Sequence, residues 1–194
     1  MSDPKPAAGT APAAPVLEPT TQRFIDGLAA AGGPPIYTLG PEAARAVLAG
    51  AQAGPVAAPA ARVEDATFPV GPTGSVRVRI VRPEGVTGAL PAVMYFPGGG
   101  WVLGDRNTHD RLVRVVAAGA EAAVVFVDYD RSPEARYPPP IEQAYAATRH
   151  VAGNGPALDL DPSRLAVAGD SVGGNMAAAV TLLAKERGGP RIGF

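Results

Sequence analysis

The chain has 194 residues, with 17 lysines and arginines against 18 aspartates and glutamates, a net charge of −1 and no cysteine. The near-neutral charge argues against the basic footprint of a nucleic-acid-binding protein and the cationic face of one that binds anionic membranes. The lack of cysteine excludes disulfides, thiolate chemistry and cysteine-ligated zinc, and two histidines make a histidine-rich metal site improbable. We therefore expect one globular domain without a metal site or a nucleic-acid partner.

Residues 1–19 are rich in proline and alanine and carry hardly any bulky apolar side chain. Such a segment cannot bury enough apolar surface to offset the entropy lost on ordering, so we predict a disordered tail. It holds neither the apolar core of a signal peptide nor a cleavage site after one. Farther along, the longest uncharged run is broken by prolines and glycines, so we expect no membrane span and a cytoplasmic location.

Residues 20–61 predict two short helices and a spacer. Phe24, Ile25 and Leu28 fall on one face of the first helix, and a Gly-Gly-Pro-Pro break separates it from a second helix that begins at Pro41. These helices either pack only or also form a cap over a pocket, and both interpretations stay open.

Residues 62–194 predict an α/β core. Strands at 62–70 and 75–82 form a hairpin at a sheet edge, and the alternating arginines of the second strand suggest a solvated edge guarded by charge. Three continuously apolar strands of the kind covered on both faces alternate with helices: strands 92–96, 122–127 and 165–168, and helices 110–120, 141–151 and 172–187. This order predicts a doubly wound, mostly parallel sheet with its ligand site in the loops that follow the three strands.

The loop after the third apolar strand reads Gly-Asp-Ser-Val-Gly. A G-x-S-x-G sequence between a strand and a helix is typical of a sharp turn that raises a serine hydroxyl above the sheet, beside the positive end of the helix. We predict Ser171 as a nucleophile, with Gly169 and Gly173 leaving room for the turn and Asp170 in support. A plain strand-to-helix turn capped by Ser171 is the alternative.

The loop after the first apolar strand reads Pro-Gly-Gly-Gly-Trp-Val-Leu-Gly-Asp. Consecutive glycines leave peptide N–H groups unshielded, as an oxyanion hole requires. We predict the N–H groups of Gly99, Gly100 and Val172 as the donors, with Gly98 in support and Trp101 lining an acyl pocket. A phosphate-binding loop is the competing interpretation, but the sequence has neither a Gly-Lys-Ser/Thr ending nor G-x-G-x-x-G spacing.

Together with Asp-Tyr-Asp-Arg-Ser-Pro-Glu at 128–134, these two loops resemble the signature motifs of hormone-sensitive-lipase-type carboxylesterases, in that family's order over about residues 20–194. The resemblance implies the α/β-hydrolase fold, a cap built largely from the N-terminal helices, hydrolysis of small carboxylic esters and no cofactor. Two positions depart from the pattern. Pro97, which has no N–H, stands where the family usually has histidine, and 128–134 differs from the commoner Asp-Tyr-Arg-Leu-Ala-Pro-Glu.

The sequence after Ser171 does not supply the catalytic acid and base that the resemblance implies. In α/β-hydrolases the triad follows the order serine, acid, histidine, yet after Ser171 the sequence holds Glu186 and no histidine. Glu186 falls about 22 Å along the helix that starts at the serine, too far to orient a base. We expect His109 and His150 to be structural, with His150 on the solvated surface. We therefore expect an N-terminal portion of the enzyme, with the triad Asp and His outside this chain.

The sequence thus predicts a serine carboxylesterase whose core, residues 62–194, is incomplete at its C-terminal end. The alternatives are a noncatalytic small-molecule-binding protein of the same fold, or a fragment without function. If the family's strand order holds, as the resemblance implies, the strand at 165–168 pairs with 92–96 on one side and loses its other neighbour, a strand expected to begin at Ile192, to the truncation. A sheet left open there would make the chain oligomeric, aggregation-prone or dependent on a complementing C-terminal fragment.

Overall fold

A computed structural model describes residues 16–194, which fall into two units divided after Thr38. The predicted disordered tail lies outside the described residues up to position 15. The first unit contains helix α1 (Pro19–Ala31) and a short 3-10 turn (Ile36–Thr38). The Glu18 carboxylate accepts hydrogen bonds from the first backbone N–H groups of α1, and this cap fixes where the helix begins.

The second unit contains the predicted α/β core. Its elements, in chain order, are α2 (Pro41–Gln52), β1 (Ala61–Phe68), β2 (Val76–Pro83), β3 (Leu90–Phe96), α3 (Asp110–Ala120), β4 (Ala123–Asp128), α4 (Pro139–Asn154), β5 (Leu160–Gly169) and α5 (Val172–Glu186). The helices and strands predicted between positions 41 and 187 are present, most with small shifts at their ends, although β5 starts five residues before its predicted first residue. Among the described residues, the strand expected to begin at Ile192 is not formed. No helix within residues 16–194 combines the length and apolar character that crossing a bilayer requires.

The five strands form one mixed sheet in the order β1-β2-β4-β3-β5. Strands β4, β3 and β5 pair in parallel, while β2 is antiparallel to both of its neighbours. Only β2 therefore runs against the other four, and the prediction of a doubly wound, mostly parallel sheet is confirmed. The loops after β3 and β5 both leave from the carboxyl edge of these adjacent parallel strands.

Alternating side chains of the central strands fill two cores, one on each face of the sheet. On β3, Met94 and Phe96 join the core that packs against α4 and α5, while Tyr95 joins the core against α3. On β4, Val125 and Phe126 divide in the same way. Because both faces are covered, the strands are apolar throughout, which is the pattern that predicted them.

The predicted hairpin at the sheet edge is present, but the arginines of β2 do not form a solvated row: Arg77 is exposed, whereas Arg79 and Arg82 are largely buried, and this part of the sequence prediction is wrong. Strand β1 forms the edge, so β2 is an interior strand with a neighbour on each side. Arg79 forms a two-pronged ion pair with Asp65 on β1, at 2.7 and 2.9 Å, and Arg82 bonds Glu64 at 3.1 Å. The Arg82 side chain is only 8% exposed. The charged residues of the hairpin neutralise one another across the strands.

The other edge of the described sheet is β5, and the last residues of the chain run beside it. The N–H of Gly193 donates to the carbonyl of Leu165 at 2.8 Å, and the N–H of Val167 donates to the carbonyl of Phe194 at 2.9 Å. The predicted pairing with β3 is therefore present, while on the other side β5 has no neighbouring strand within residues 16–194 and only these two hydrogen bonds to the last residues. The oligomeric state of the chain stays a prediction.

A buried glutamine ties the segment after β4 to the turn before β2. Gln143 on α4 is 1% exposed and makes three hydrogen bonds. Its Oε1 accepts from the N–H of Asp130 at 2.9 Å, and its Nε2 donates to the Asp130 carboxylate at 2.7 Å and the Thr73 hydroxyl at 2.8 Å. This amide fixes where the chain turns at the carboxyl end of β4, beside the glycine loop.

Replacing Gln143 with leucine keeps the volume and removes all three hydrogen bonds. We expect Gln143→Leu to lower the free energy of unfolding by about 1–3 kcal/mol, because polar groups of Asp130 and Thr73 lose their partner. The urea midpoint of unfolding measures the change. The same substitution at exposed Gln52 is the control, and equal midpoints for the two variants would contradict the assignment.

The hairpin ion pairs predict a loss of stability in acid. The hydrogen bond from Arg79 holds the pKa of Asp65 below its ordinary value. The ion pair of Asp65 therefore contributes fully to stability above the pKa of an unfolded aspartate, about 3.9. This contribution is lost as the pH falls through the lowered pKa of Asp65 in the folded state. We expect the urea midpoint of Asp65→Asn to depend less on pH below about pH 4 than that of the parent chain. Glu84→Gln, at an exposed carboxylate, should leave the pH profile unchanged, and a parent-like profile for Asp65→Asn would reject this role.

Candidate active site

Ser171 stands at the turn between β5 and α5, as the sequence predicted. Its backbone has φ 54° and ψ −119°, a conformation that is strained for a residue with a side chain. The residue is exposed, and its side chain makes no hydrogen bond that caps α5. Ser171 thus occupies the N-cap position of α5 without using its hydroxyl to cap the helix, and its role as a nucleophile stays a prediction. The hydroxyl stands beside the positive N-terminal end of a 15-residue helix.

Two glycines make this turn sterically feasible. A Cβ on Gly169 would lie 2.6 Å from the carbonyl oxygen of Phe96, and a Cβ on Gly173 would overlap the same oxygen. The N–H of Gly173 closes the turn by donating to the carbonyl of Asp170 at 2.7 Å. The start of α5 thus packs backbone to backbone against the end of β3, at positions where no side chain fits.

The glycine loop follows β3 and folds into a tight turn. Gly99, Gly100 and Trp101 all have positive φ values, of 105°, 62° and 60°. The carbonyl of Gly99 accepts hydrogen bonds from the N–H groups of Val102 and Leu103, at 3.1 and 2.8 Å. Among the hydrogen bonds formed within residues 16–194, none uses the N–H of Gly99 or Gly100.

Val172, the third predicted donor, is the first residue of α5, where a helix leaves its N–H groups without intrahelical partners. Its N–H likewise takes part in no hydrogen bond within the described part of the chain.

Asp170 joins the two loops. Its Oδ1 accepts hydrogen bonds from the Tyr95 hydroxyl at 2.8 Å and from the N–H of Gly98 at 3.0 Å, and it lies 3.4 Å from Nε2 of His109. A Cβ on Gly98 would overlap the Asp170 carboxylate, so only glycine allows this approach. Burial and the hydrogen bond to Asp170 raise the pKa of Tyr95, which keeps its hydroxyl protonated and donating.

Pro97 departs from the pattern of the related motif, yet the start of the loop is held. The buried Tyr129 hydroxyl donates to the carbonyl of Pro97 at 2.9 Å. That carbonyl shares a peptide unit with the N–H of Gly98, which Asp170 binds, so the unit is fixed at both ends. Burial raises the pKa of Tyr129 to about 12, so the hydroxyl stays a donor at neutral pH.

In the part of the chain that the structure describes, neither histidine forms a hydrogen bond with Ser171. The ring of His109 lies between Asp170 and the loop before α3, with Nδ1 at 3.0 Å from the Thr108 hydroxyl. His150 is half-buried and packs against Phe68, with ring centroids 4.2 Å apart and planes tilted by 30°, so it is not the fully solvated residue that the sequence predicted. Within residues 16–194, no three histidine, aspartate or glutamate side chains assemble into a metal site.

Two cavities border the glycine loop. The smaller, of about 240 Å³, is lined by Gly100, Trp101, Ser132, Tyr137, Pro140 and Ile141. The larger, of about 610 Å³, is an open groove with Gly98, Gly99 and Asp170 on one wall and side chains of α2 and α3 on the others. Trp101 thus lines the smaller cavity, and the assignment of an acyl pocket to it stays a prediction.

Sequence reasoning missed the residues that hold the glycine loop from outside. Tyr95 stands in a predicted apolar strand and Tyr129 in the 128–134 motif, and only the structure shows that their hydroxyls bind Asp170 and Pro97. Arg131 donates to the carbonyl of Gly104 at 2.7 Å, and Arg45 on α2 reaches the same loop. The one available signal was the segment 128–134, which resembled a family motif without revealing what its side chains contact.

Comparison with known proteins gives consistent matches. The chain is 41% identical over 184 residues to carboxylesterase NlhH of Mycobacterium tuberculosis, an alignment that covers 94% of this chain and 56% of that protein. The crystal structure of a thermostable esterase from Pseudomonas putida superposes with a TM-score of 0.89 and 49% identity, covering 92% of this chain and 56% of the other. A hyperthermophilic esterase from Pyrobaculum calidifontis superposes with a TM-score of 0.80 and 37% identity, covering 91% of this chain and 56% of the other.

The chain therefore spans a little over half the length of these relatives. These matches confirm the resemblance to esterases that the sequence motifs indicated. A family profile confirms the expected fold. This profile, described as an alpha/beta hydrolase fold, matches residues 93–194, from the middle of β3 to the last residue. The chain belongs to the α/β-hydrolase fold family.

Proposed function

We propose that this chain carries the nucleophile and the oxyanion hole of a hormone-sensitive-lipase-type serine carboxylesterase. The observation behind the proposal is that exposed Ser171 follows β5 while the glycine loop follows the adjacent parallel strand β3. In that loop the N–H groups of Gly99 and Gly100 are not used by the fold. A hydroxyl beside unpaired N–H donors is the arrangement that acyl transfer from an ester requires.

In the proposed reaction, Oγ of Ser171 attacks the ester carbonyl carbon while a general base takes its proton. The negative charge that develops on the carbonyl oxygen is held by the N–H groups of Gly99, Gly100 and Val172, beside the positive end of α5. Collapse of the tetrahedral intermediate breaks the bond to the alcohol, which leaves with a proton from the base. Water then attacks the acyl carbon while the base takes its proton, and collapse of the second tetrahedral intermediate releases the carboxylic acid and returns the proton to Oγ of Ser171.

We propose that the general base and its orienting acid lie outside these 194 residues. His109 contacts Asp170 and Thr108, and no histidine follows Ser171 in the sequence. Glu186 is the last residue of α5, at the opposite end of that helix from the serine. The esterases to which the chain is similar extend well beyond the aligned region, which leaves room for both groups there.

The smaller cavity supports a small ester as substrate. Its volume of about 240 Å³ suits a short acyl or alcohol group, and Gly100 places the cavity next to a proposed oxyanion donor. Trp101, Pro140 and Ile141 give it an apolar lining that would take a hydrocarbon group out of water. Under this proposal Trp101 contacts the bound group and takes no part in proton transfer.

Activity of the chain by itself tests the nucleophile. We expect slow hydrolysis of p-nitrophenyl acetate, because loss of a triad member costs about 10⁴–10⁶ in kcat and leaves the oxyanion hole. A fluorophosphonate should also react at Ser171, but only slowly and at high reagent concentration, because no base within the chain takes the hydroxyl proton; mass spectrometry detects the adduct. Both signals should disappear in Ser171→Ala and persist in the matched control Ser75→Ala, at an exposed serine of the hairpin turn.

Three results would change the proposal. Hydrolysis that survives Ser171→Ala would reject the nucleophile. Turnover above about 1 s⁻¹ that depends on Ser171 would show that this chain contains its own base, with His109 the first candidate. Ester binding without adduct or Ser171-dependent hydrolysis would favour a noncatalytic binding protein of the same fold.

Filling the smaller cavity tests the substrate assignment. Ile141→Phe adds volume beside Trp101 and removes room for the two extra methylenes that a butyryl group has over an acetyl group. We therefore expect hydrolysis of p-nitrophenyl butyrate to fall about tenfold relative to that of the acetate ester. Leu112→Phe makes a similar addition in the larger groove and serves as the control. An unchanged butyrate-to-acetate ratio in Ile141→Phe would remove this cavity from the substrate site.

A further inference from the structure

We propose that Arg45 is a positioning residue for the oxyanion hole: from α2 its guanidinium holds the turn that carries Gly99 and Gly100. This inference rests on the proposed function, because the N–H groups of those glycines are its oxyanion donors. It assigns to α2 a part in the site that differs from covering a pocket.

The guanidinium makes four hydrogen bonds of 2.8 Å. Nε donates to the carbonyl of Val102 in the glycine loop, and one terminal nitrogen donates to the carbonyl of Ser132. Both terminal nitrogens donate to the two carboxylate oxygens of Glu134. One side chain thus joins α2, the glycine loop and the segment 128–134, which lie far apart in the sequence.

The contact at Val102 reaches the proposed donors through the turn itself. The N–H groups of Val102 and Leu103 both donate to the carbonyl of Gly99. That carbonyl shares a rigid peptide plane with the N–H of Gly100, so the direction of one sets the direction of the other. Arg45 binds the carbonyl of Val102 on the other side of the turn. Because the Gly99–Gly100 peptide plane is held by its carbonyl, it cannot rotate freely, and the N–H of Gly100 keeps one direction.

Ser132 closes a second link to the same turn. Its N–H donates to the carbonyl of Trp101 at 2.8 Å, while its own carbonyl accepts from Arg45. Two adjacent carbonyls of the turn, those of Trp101 and Val102, are therefore bound from outside the loop. Three consecutive residues of this turn, from Gly99 to Trp101, have positive φ, and such a backbone keeps one geometry only when its surroundings fix it.

The chemistry of the contact requires arginine. A planar fork satisfies a backbone carbonyl, a second carbonyl and a carboxylate at once, whereas the single nitrogen of lysine cannot span them. Arg45 is half-buried, with 22% of its side chain exposed, so water competes only partly for these bonds. The hydrogen bond from Arg45 also holds the pKa of Glu134 at about 2, so the pair stays charged at neutral pH.

The only tryptophan of the chain, Trp101, lies in the turn under test, so its fluorescence reports on that turn. We would measure acrylamide quenching of Trp101 and, separately, the rate of fluorophosphonate adduct formation on Ser171. The variants are Arg45→Met, Arg45→Lys and Glu134→Gln. Glu42→Gln changes a charge on the exposed face of the same helix and is the matched control.

We expect Arg45→Met to raise the quenching constant of Trp101 about twofold or more, because the turn opens to solvent. The limiting rate of adduct formation should fall about tenfold or more, since small misplacements of donors cost rates of this size, while the half-saturating reagent concentration stays constant. Arg45→Lys and Glu134→Gln should lie between Arg45→Met and the parent. Cooperative urea unfolding identifies variants that remain folded, and if Arg45→Met does not fold, Arg45→Lys and Glu134→Gln decide.

Parent-like quenching and parent-like limiting rates in the folded Arg45 variants would overturn the inference. A loss seen only in the half-saturating concentration would also overturn it, because that result assigns Arg45 to binding. Failure of the proposed function looks different: the parent chain would then form no adduct on Ser171. Trp101 quenching would still decide whether Arg45 holds the turn.

Discussion

A single carboxylate, that of Asp170, holds the two loops of the candidate site at a fixed distance. It belongs to the serine turn by sequence and to the glycine loop by its hydrogen bond from Gly98. The buried Tyr95 hydroxyl binds the same oxygen, so separating the loops would leave a buried donor without a partner, at a cost of about 1–3 kcal/mol. The position of Ser171 relative to the glycine loop depends on this contact.

The glycine loop shows a division between its carbonyl and N–H groups. Its carbonyls are bound from several directions, by Tyr129 at Pro97, by Arg131 at Gly104 and by Arg45 in the turn between them. The N–H groups of its central glycines are not used within the described residues. Peptide dipoles that are held on one side and open on the other are already oriented before a ligand arrives, which is how a protein stabilises charge without reorganising.

The order of helices and strands could be predicted from the sequence because β3, most of β4 and the second half of β5 are continuously apolar, and because the loops after β3 and β5 carry recognisable motifs. The environment of the arginines of β2 could not be predicted, because an alternating pattern shows which residues share a face of the strand but does not show what covers that face. A strand with a charged face looks the same whether water or an acidic neighbour such as Asp65 pairs with it. Likewise, Arg45 acts through partners 57 and 87 positions away, a distance that no local pattern records.

The clearance around the serine turn is set by main-chain atoms, since the carbonyl oxygen of Phe96 faces Gly169 and Gly173 while the Phe96 side chain lies in the core. The identity of residue 96 and the geometry of the turn are therefore separable. Over evolutionary time, a lineage can exchange this core residue for another apolar one and repack around it without altering the gap beneath the serine. The two glycines have no such freedom, and we expect them to vary far less among descendants of this chain than the large residue that they contact.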